Sequence, residues 1–225
     1  MCTLYDDTLE ATFLSRPNRF VALVLAEGRE IVCHIKNTGR LMELLVPGAK
    51  VILAKAKHAA RKTAYDMVAV YKGDMLVNID SQAPNEAAFL FLKHYYPDAV
   101  VRREQRWQDS RLDFHVQGSG LSLYVEVKGC TLEKDGIALF PDAPTMRGIK
   151  HLHALTSCVQ RGHRAMVLFV VQMSPVKGFA PYDAMHPAFG EALRAAALAG
   201  VEVLAYECMI MERGMRIHQP VPVML

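Results

Sequence analysis

Between Arg19 and Tyr71, short apolar-rich runs alternate with turn residues: RFVALVLA, REIVCHI, KVILAKA and TAYDMVAVY. Runs of this length, bounded by polar and turn-forming residues, predict the strands of a small β domain. The segment LMELLVPG, after NTGR, predicts one helical turn or a short helix stopped by Pro47 and Gly48. About five short strands with one such insertion fit an oligonucleotide-binding (OB) barrel, although periodicity by itself also admits another small barrel. Pro84 and Asn85 then open EAAFLFLKHYY, whose Ala87, Phe91 and Tyr95 lie at helical spacing before Pro97 ends it. This helix sets the expected boundary, with the barrel over 1–83 and a second domain over 84–225.

In the second domain AVVRREQRW, RLDFHVQ and LSLYVEVK read as three consecutive strands. A helix over about 145–160, the apolar strand AMVLFVVQM, a helix in PAFGEALRAAALAG and the strand VEVLAYEC follow. AMVLFVVQM is the longest apolar stretch, as a strand buried on both faces requires. The expected fold class is therefore a two-domain α/β (α+β) protein, an OB-like barrel followed by an α/β domain. No internal repeat or low-complexity segment interrupts it.

Composition narrows the setting. The hydrophobic fraction of 52% and charged fraction of 22% are those of an ordinary globular chain. Acidic residues in MCTLYDDTLEATF and the absence of roughly 18 consecutive apolar residues argue against export and membrane insertion, so a cytoplasmic protein without a membrane partner is expected. Five cysteines, odd in number and never spaced as CxxC, read as reduced, mostly buried thiols. No HExxH, P-loop or dinucleotide fingerprint is present, which excludes the zinc and nucleotide classes those motifs serve. A net charge of +3 permits a nucleic-acid partner without requiring one.

The chemistry concentrates in two strands. Alternation in RLDFHVQ puts Leu112, Phe114 and Val116 on one face and Asp113, His115 and Gln117 on the other. In LSLYVEVK it sets Ser122, Tyr124, Glu126 and Lys128 on one side. A two-residue turn at Ser119 and Gly120 would pair Asp113 directly opposite Glu126, with Cβ atoms roughly 5 Å apart. Two carboxylates and one ammonium then converge, and a divalent cation such as Mg²⁺ or Mn²⁺ would relieve the like charges. With Asp113 and Glu126 as ligands and Lys128 orienting the nucleophile, the chemistry is phosphodiester hydrolysis. The same pattern also describes an exposed cross-strand ion ladder.

Two basic segments bear on that choice. In FPDAPTMRGIKHLHAL, Thr145 is a candidate N-cap, and Arg147, Lys150 and His151 stand at i, i+3, i+4 spacing on the helix that follows. A helix N-terminus beside them favours a phosphate. Lys50, Lys55, Lys57, His58, Arg61 and Lys62 form the densest basic stretch and could track a phosphate backbone, or be an ordinary solvated loop.

Taken together the motifs resemble the sugar fermentation stimulation protein A family nearly end to end. They are RF at Arg19 and Phe20, NTG at Asn37 to Gly39, LLVPGAKV, APN, SRLDF, YVEVKGCTL, ALFPDAPTMRGIKHL, GHRAMVLFVVQ and QPVPVML. The resemblance implies an OB-like barrel joined to a domain similar to PD-(D/E)xK nucleases, with the nuclease motif on Asp113, Glu126 and Lys128. It implies Glu86 as an additional acid. It also implies binding of DNA without strong sequence specificity, with RNA as an alternative, and a link to maltose utilisation. From its motifs Arg19, Asn37 and Thr38 are assigned to the nucleic-acid surface beside Lys55, Lys57, Arg61, Lys62, Thr145, Arg147, Lys150 and His151. Arg40 and Leu41 after NTG, and NIDSQAPN, depart from the family pattern outside the metal site. Two functions remain in view: a metal-dependent nuclease, and a non-catalytic DNA-binding regulatory factor.

Overall fold

The computed structural model describes residues 4–37, 39–56 and 61–225. The first domain is built from β1 (Thr8–Asn18), β2 (Val21–Ala26), β3 (Arg29–Ile35), β4 (Lys50–Lys55), β5 (Tyr65–Lys72) and β6 (Met75–Asn78). Strand order is β3-β2-β1-β4-β5-β6, and a parallel pairing of β3 with β5 closes five of them into a barrel. The sequence pattern misses β1, whose Arg16, Pro17 and Asn18 look like a turn, and the four-residue β6. LMELLVPG forms a single helical turn, the amide of Leu45 donating to Leu41 O, and Leu41 and Leu44 plug the barrel interior.

The second domain runs α1 (Ala83–Tyr95), β7 (Val100–Trp107), β8 (Ser110–Gly118), β9 (Leu121–Cys130), β10 (Leu132–Lys134), β11 (Ile137–Phe140), α2 (Met146–Gln160), β12 (Arg164–Val171), β13 (Gly178–Pro181), α3 (Pro187–Leu198), β14 (Glu202–Met211) and β15 (Gly214–Pro220). Its main sheet has the order β15-β14-β12-β9-β8-β7, parallel across β9, β12 and β14 and antiparallel at both edges. A small sheet, β10-β11-β13, lies apart from it. The strands unseen in the sequence are the short β10, β11 and β13 and the polar edge strand β15, where alternation has too few residues or too few apolar ones to register.

Position in the sheet explains the patterning. From Ala165 to Val171 every residue of β12 is buried, because a central parallel strand is covered on both faces. One face packs Phe114, Val116, Val125, Met166 and Leu168 against Ala87, Ala88 and Leu92 of α1. The other packs Val167, Phe169 and Val171 against Leu152 and Leu155 of α2 and Phe189 and Leu193 of α3, in a cluster that continues into the barrel. Each such fully buried side chain contributes about 1.5–3 kcal/mol relative to exposure. The four cysteines among the described residues are free and buried. Among the described residues no helix is long and apolar enough to cross a membrane.

The two domains also meet through hydrogen bonds. Gln172, just past β12, donates from Nε2 to Asn78 O and Asn78 Oδ1 at 3.0 Å and to Asp80 O at 3.2 Å, and Asn78 N donates to Gln172 O. Gly129 lies under this junction, where a Cβ would meet Gln172 Oε1 at 2.5 Å and Pro84 Cγ at 2.7 Å. Gly129→Ala is therefore expected to lower unfolding stability by about 1–3 kcal/mol, as over-packing does, measured by chemical denaturation.

Candidate active site

The β8–β9 hairpin turns at Ser119 and Gly120, Gly118 pairing with Leu121 and Gly120 at a φ of +70°. The ladder runs back to Phe114 and Val125, one step short of Asp113 and Glu126. There the strands part. The amide of Val127 donates to Asp113 Oδ2 at 2.8 Å instead of to a backbone carbonyl, so this side chain takes over the ladder's role. Beyond the split Leu112 packs on the α2 side, away from Phe114 and Val116, and so departs from strict alternation.

Asp113 is held from its other side by Asn85, whose Nδ2 donates to Oδ1 at 3.0 Å. Burial, and then the neighbouring charge of Glu126, push its pKa above the ordinary aspartate value. Glu126 is only 2% exposed. Burial pushes its pKa up as well, but hydrogen bonds from His151 and Lys128 and their charge outweigh that, leaving it below the usual range. Both partners take the same oxygen: Lys128 Nζ and His151 Nδ1 each donate to Oε1. Arg147 Nε lies 3.4 Å from His151 Nε2, at the ring nitrogen not engaged with Glu126.

Glu126 Oε2 is left buried with no hydrogen-bond partner. An anionic oxygen in that state is costly unless a ligand completes it. Glu126 lines a cleft of about 250 Å³ whose walls also include Asn85, Asp113, Lys128, Thr145, Arg147 and His151. The donor set fits a hard divalent ion that takes two carboxylates and keeps its waters, such as Mg²⁺ or Mn²⁺. It does not offer a complete protein cage: among the described residues no group of three or more His, Cys, Asp or Glu side chains is gathered for a metal.

The remaining sequence-assigned residues divide. Thr145 caps α2, its Oγ1 accepting from Gly148 N at 3.0 Å and so satisfying one of the first-turn amides. Arg147 is exposed at the rim. His151 is 5% exposed and holds Glu126, so it is not a surface contact for nucleic acid; Lys150 turns to solvent and pairs with Asp109 at 2.9 Å. The physical reason is that Lys150 and His151 are about 100° apart around the helix, so one edge of the stripe enters the core. Arg61 pairs with Asp66 through two 2.8 Å hydrogen bonds, so that its charge is shared with a carboxylate. Lys55 and Lys62 are exposed, whereas Lys57 and Thr38 lie outside the described residues. Asn37 spends both ends on backbone, accepting from Gly39 N and donating to Ile79 O, and so braces its loop instead of presenting its amide to a nucleic acid. Arg19 is exposed in the β1–β2 turn, where Arg16 binds its carbonyl and that of Gly39. Glu86 is paired with Arg103 at 2.7 and 2.8 Å and does not line the cleft. Asn85 is the participant without an assigned role in the sequence; it stands in the APN motif, but its contact lies 28 positions away.

Comparison with known proteins agrees on the family. The family model described as "Sugar fermentation stimulation protein RE domain" matches residues 82–214, and "SfsA N-terminal OB domain" matches residues 14–79. A sugar fermentation stimulation protein homolog of Desulfitobacterium hafniense is 47% identical over 210 residues, 92% of each chain. One from Clostridium beijerinckii is 41% identical over 224 residues, covering 98% of this chain and 99% of its own. The solved structure of Pyrococcus furiosus SfsA in complex with Ca²⁺ superposes with a TM-score of 0.89 at 30% identity, covering both chains fully.

The carboxylates yield a titration test. Asp113, whose carboxyl favours the protonated form in the folded protein, is expected to titrate above the ordinary aspartate range, so its ionisation opposes folding as pH rises through that raised value. Glu126→Gln removes the like charge and should lower the Asp113 midpoint. It should not reach the free value, because burial is the larger cause. Carboxyl-carbon NMR titration measures both midpoints.

Proposed function

The chain belongs to the sugar fermentation stimulation protein family, and from that premise we propose that it is a DNA-binding protein with a divalent-metal-dependent phosphodiesterase site at Asp113, Glu126 and Lys128. The observation that carries this reading is the unpartnered, buried Oε2 of Glu126 opening on a cleft that also holds Asp113 and two cations. Relief of that oxygen by a hard cation is consistent with the Ca²⁺ of the Pyrococcus furiosus relative.

Each residue has a separable task. Asp113 and the Oε2 of Glu126 would hold the ion, which when bound supplies Lewis-acid polarisation of the phosphoryl group. His151 and Lys128 occupy Oε1 and so keep Oε2 turned to the cleft. The Lys128 ammonium, carried on that carboxylate, orients the attacking water and offsets phosphate charge. Arg147 at the rim and the first-turn amides of α2 that the Thr145 cap does not occupy would grip the phosphate. The mixed α/β domain is accordingly read as PD-(D/E)xK-like. The barrel contributes strand binding through the exposed Arg19, Lys55 and Lys62, with DNA as the expected polymer and RNA to be tested beside it.

Purified protein incubated with single-stranded and duplex DNA and with RNA, in Mg²⁺ or Mn²⁺, is expected to cleave. Glu126→Ala should reduce the rate by about 100-fold or more, and His151→Ala by about 10- to 100-fold in kcat with little change in KM, the pattern of a lost ligand-positioning partner. Equal rates in wild type and Glu126→Ala would sink the catalytic assignment; binding without cleavage would make the protein the non-catalytic DNA-binding factor. Binding assays should separately show that Arg147→Ala reduces the salt slope by about one, as loss of one phosphate contact does, while Lys150→Ala leaves it unchanged because Asp109 already neutralises it.

A further inference from the structure

The cleft at the two carboxylates is not closed. Through Ser81, Pro84, Gly129 and Thr145 it continues into a second cleft of about 320 Å³ on the other side of the same residues. The first carries Lys128 and Arg147, the partners of a phosphate. The second has no Lys, Arg or His in its lining, and its one charged group is Asp142.

Two acceptors face this second space. Asp142 lies so near the chain at Gly39 that a Cβ there would meet its Oδ2 at 2.7 Å, and no described residue donates a hydrogen bond to it. The second is Gln172, 2% exposed. Its Nε2 is pinned by three acceptors, so the amide cannot flip, and Oε1 is turned to Gly129 with no described donor. Pro84, Pro141, Ala143 and Pro144 supply flat apolar walls around these acceptors. A phosphate is repelled from such a site, whereas a flat ring whose edge carries adjacent N–H groups satisfies it. The volume is that of a small-ligand pocket, about 300–1,000 Å³.

We propose that the second cleft is a nucleobase pocket next to the phosphate site, and that it selects guanine, whose N1–H and exocyclic amine present two neighbouring donors to the Asp142 carboxylate. Thymine and uracil offer only one donor on the corresponding edge, N3–H, flanked by carbonyl oxygens, so one carboxylate oxygen would be set against an acceptor, an unfavourable contact that generates specificity. The pocket rests on the proposed function only in taking the neighbouring cleft as a phosphate site, and it can be tested without any cleavage.

The full chain, in EDTA so that no strand is cut, is titrated by fluorescence anisotropy with oligo(dT), alternating d(TG) and alternating d(TI) of equal length. In inosine the exocyclic amine is missing. A bidentate contact of this kind is worth about 1–3 kcal/mol of discrimination, so d(TG) is expected to bind about tenfold more tightly than oligo(dT), with d(TI) falling back toward oligo(dT). Asp142→Asn should erase the difference while keeping the affinity for oligo(dT). The inosine arm reads the same contact from the ligand side should that variant fail to fold. Ligand-detected NMR with dGMP and dTMP repeats the comparison on single nucleotides. Equal affinities for d(TG) and oligo(dT), a preference that survives in d(TI), or equal binding of dGMP and dTMP would each overturn the pocket and leave the cleavage assays to judge the nuclease reading. A guanine preference in a protein that cleaves nothing would uphold the pocket and reject the nuclease.

Discussion

The structure turns on how Glu126 divides its two oxygens. A carboxylate at 2% exposure on a central strand is expensive to ionise unless its charge is met at once. One oxygen receives both Lys128 and His151, which keeps the group ionised although burial works against it. The other oxygen receives nothing from the protein. That asymmetry stores an unfilled demand for positive charge at one point of the cleft. Asp113, pushed toward its neutral form by burial and by Glu126, places a second carboxyl group beside it.

The surrounding elements serve that point. The strands part where Asp113 takes the amide of Val127, which opens the sheet locally without leaving the donor bare. Asn85 reaches in from α1 on one side of the sheet, and His151 and the capped N-terminus of α2 reach in from the other. Gln172, Asn78 and Asp80 bind the barrel to the α/β domain directly beside Gly129, so the cleft wall is also the domain junction. Away from the cleft, several cations are spent on carboxylates: Lys36 on Asp80, Arg61 on Asp66, Arg103 on Glu86, Lys150 on Asp109. The overall field is modest, in keeping with a net charge of only +3.

Strand parity and a turn signal carried the sequence a long way. The two-residue turn at Ser119 and Gly120 and the register that runs back to Phe114 opposite Val125 follow from alternation and glycine alone, because side chains on paired strands have a period of two; that the strands part before Asp113 and Glu126 pair does not. The both-face burial of β12 was equally visible in its unbroken apolar run. Strands of three or four residues, such as β6, β10, β11 and β13, were not, since so short a segment carries no measurable period.

What the chain determined by itself was therefore local: which residue types stand on which face, where the hairpin turns and where α2 is capped. Tertiary structure alone decided how those residues are used. His151 and Lys150 are neighbours in a basic stripe, yet helix rotation sends one onto a buried carboxylate and the other to solvent. Asn85 reaches Asp113 from α1 and Gln172 meets Asn78 from 94 positions away. Such pairings depend on packing between distant segments, and no periodicity within one segment encodes which distant partner its polar atoms will find.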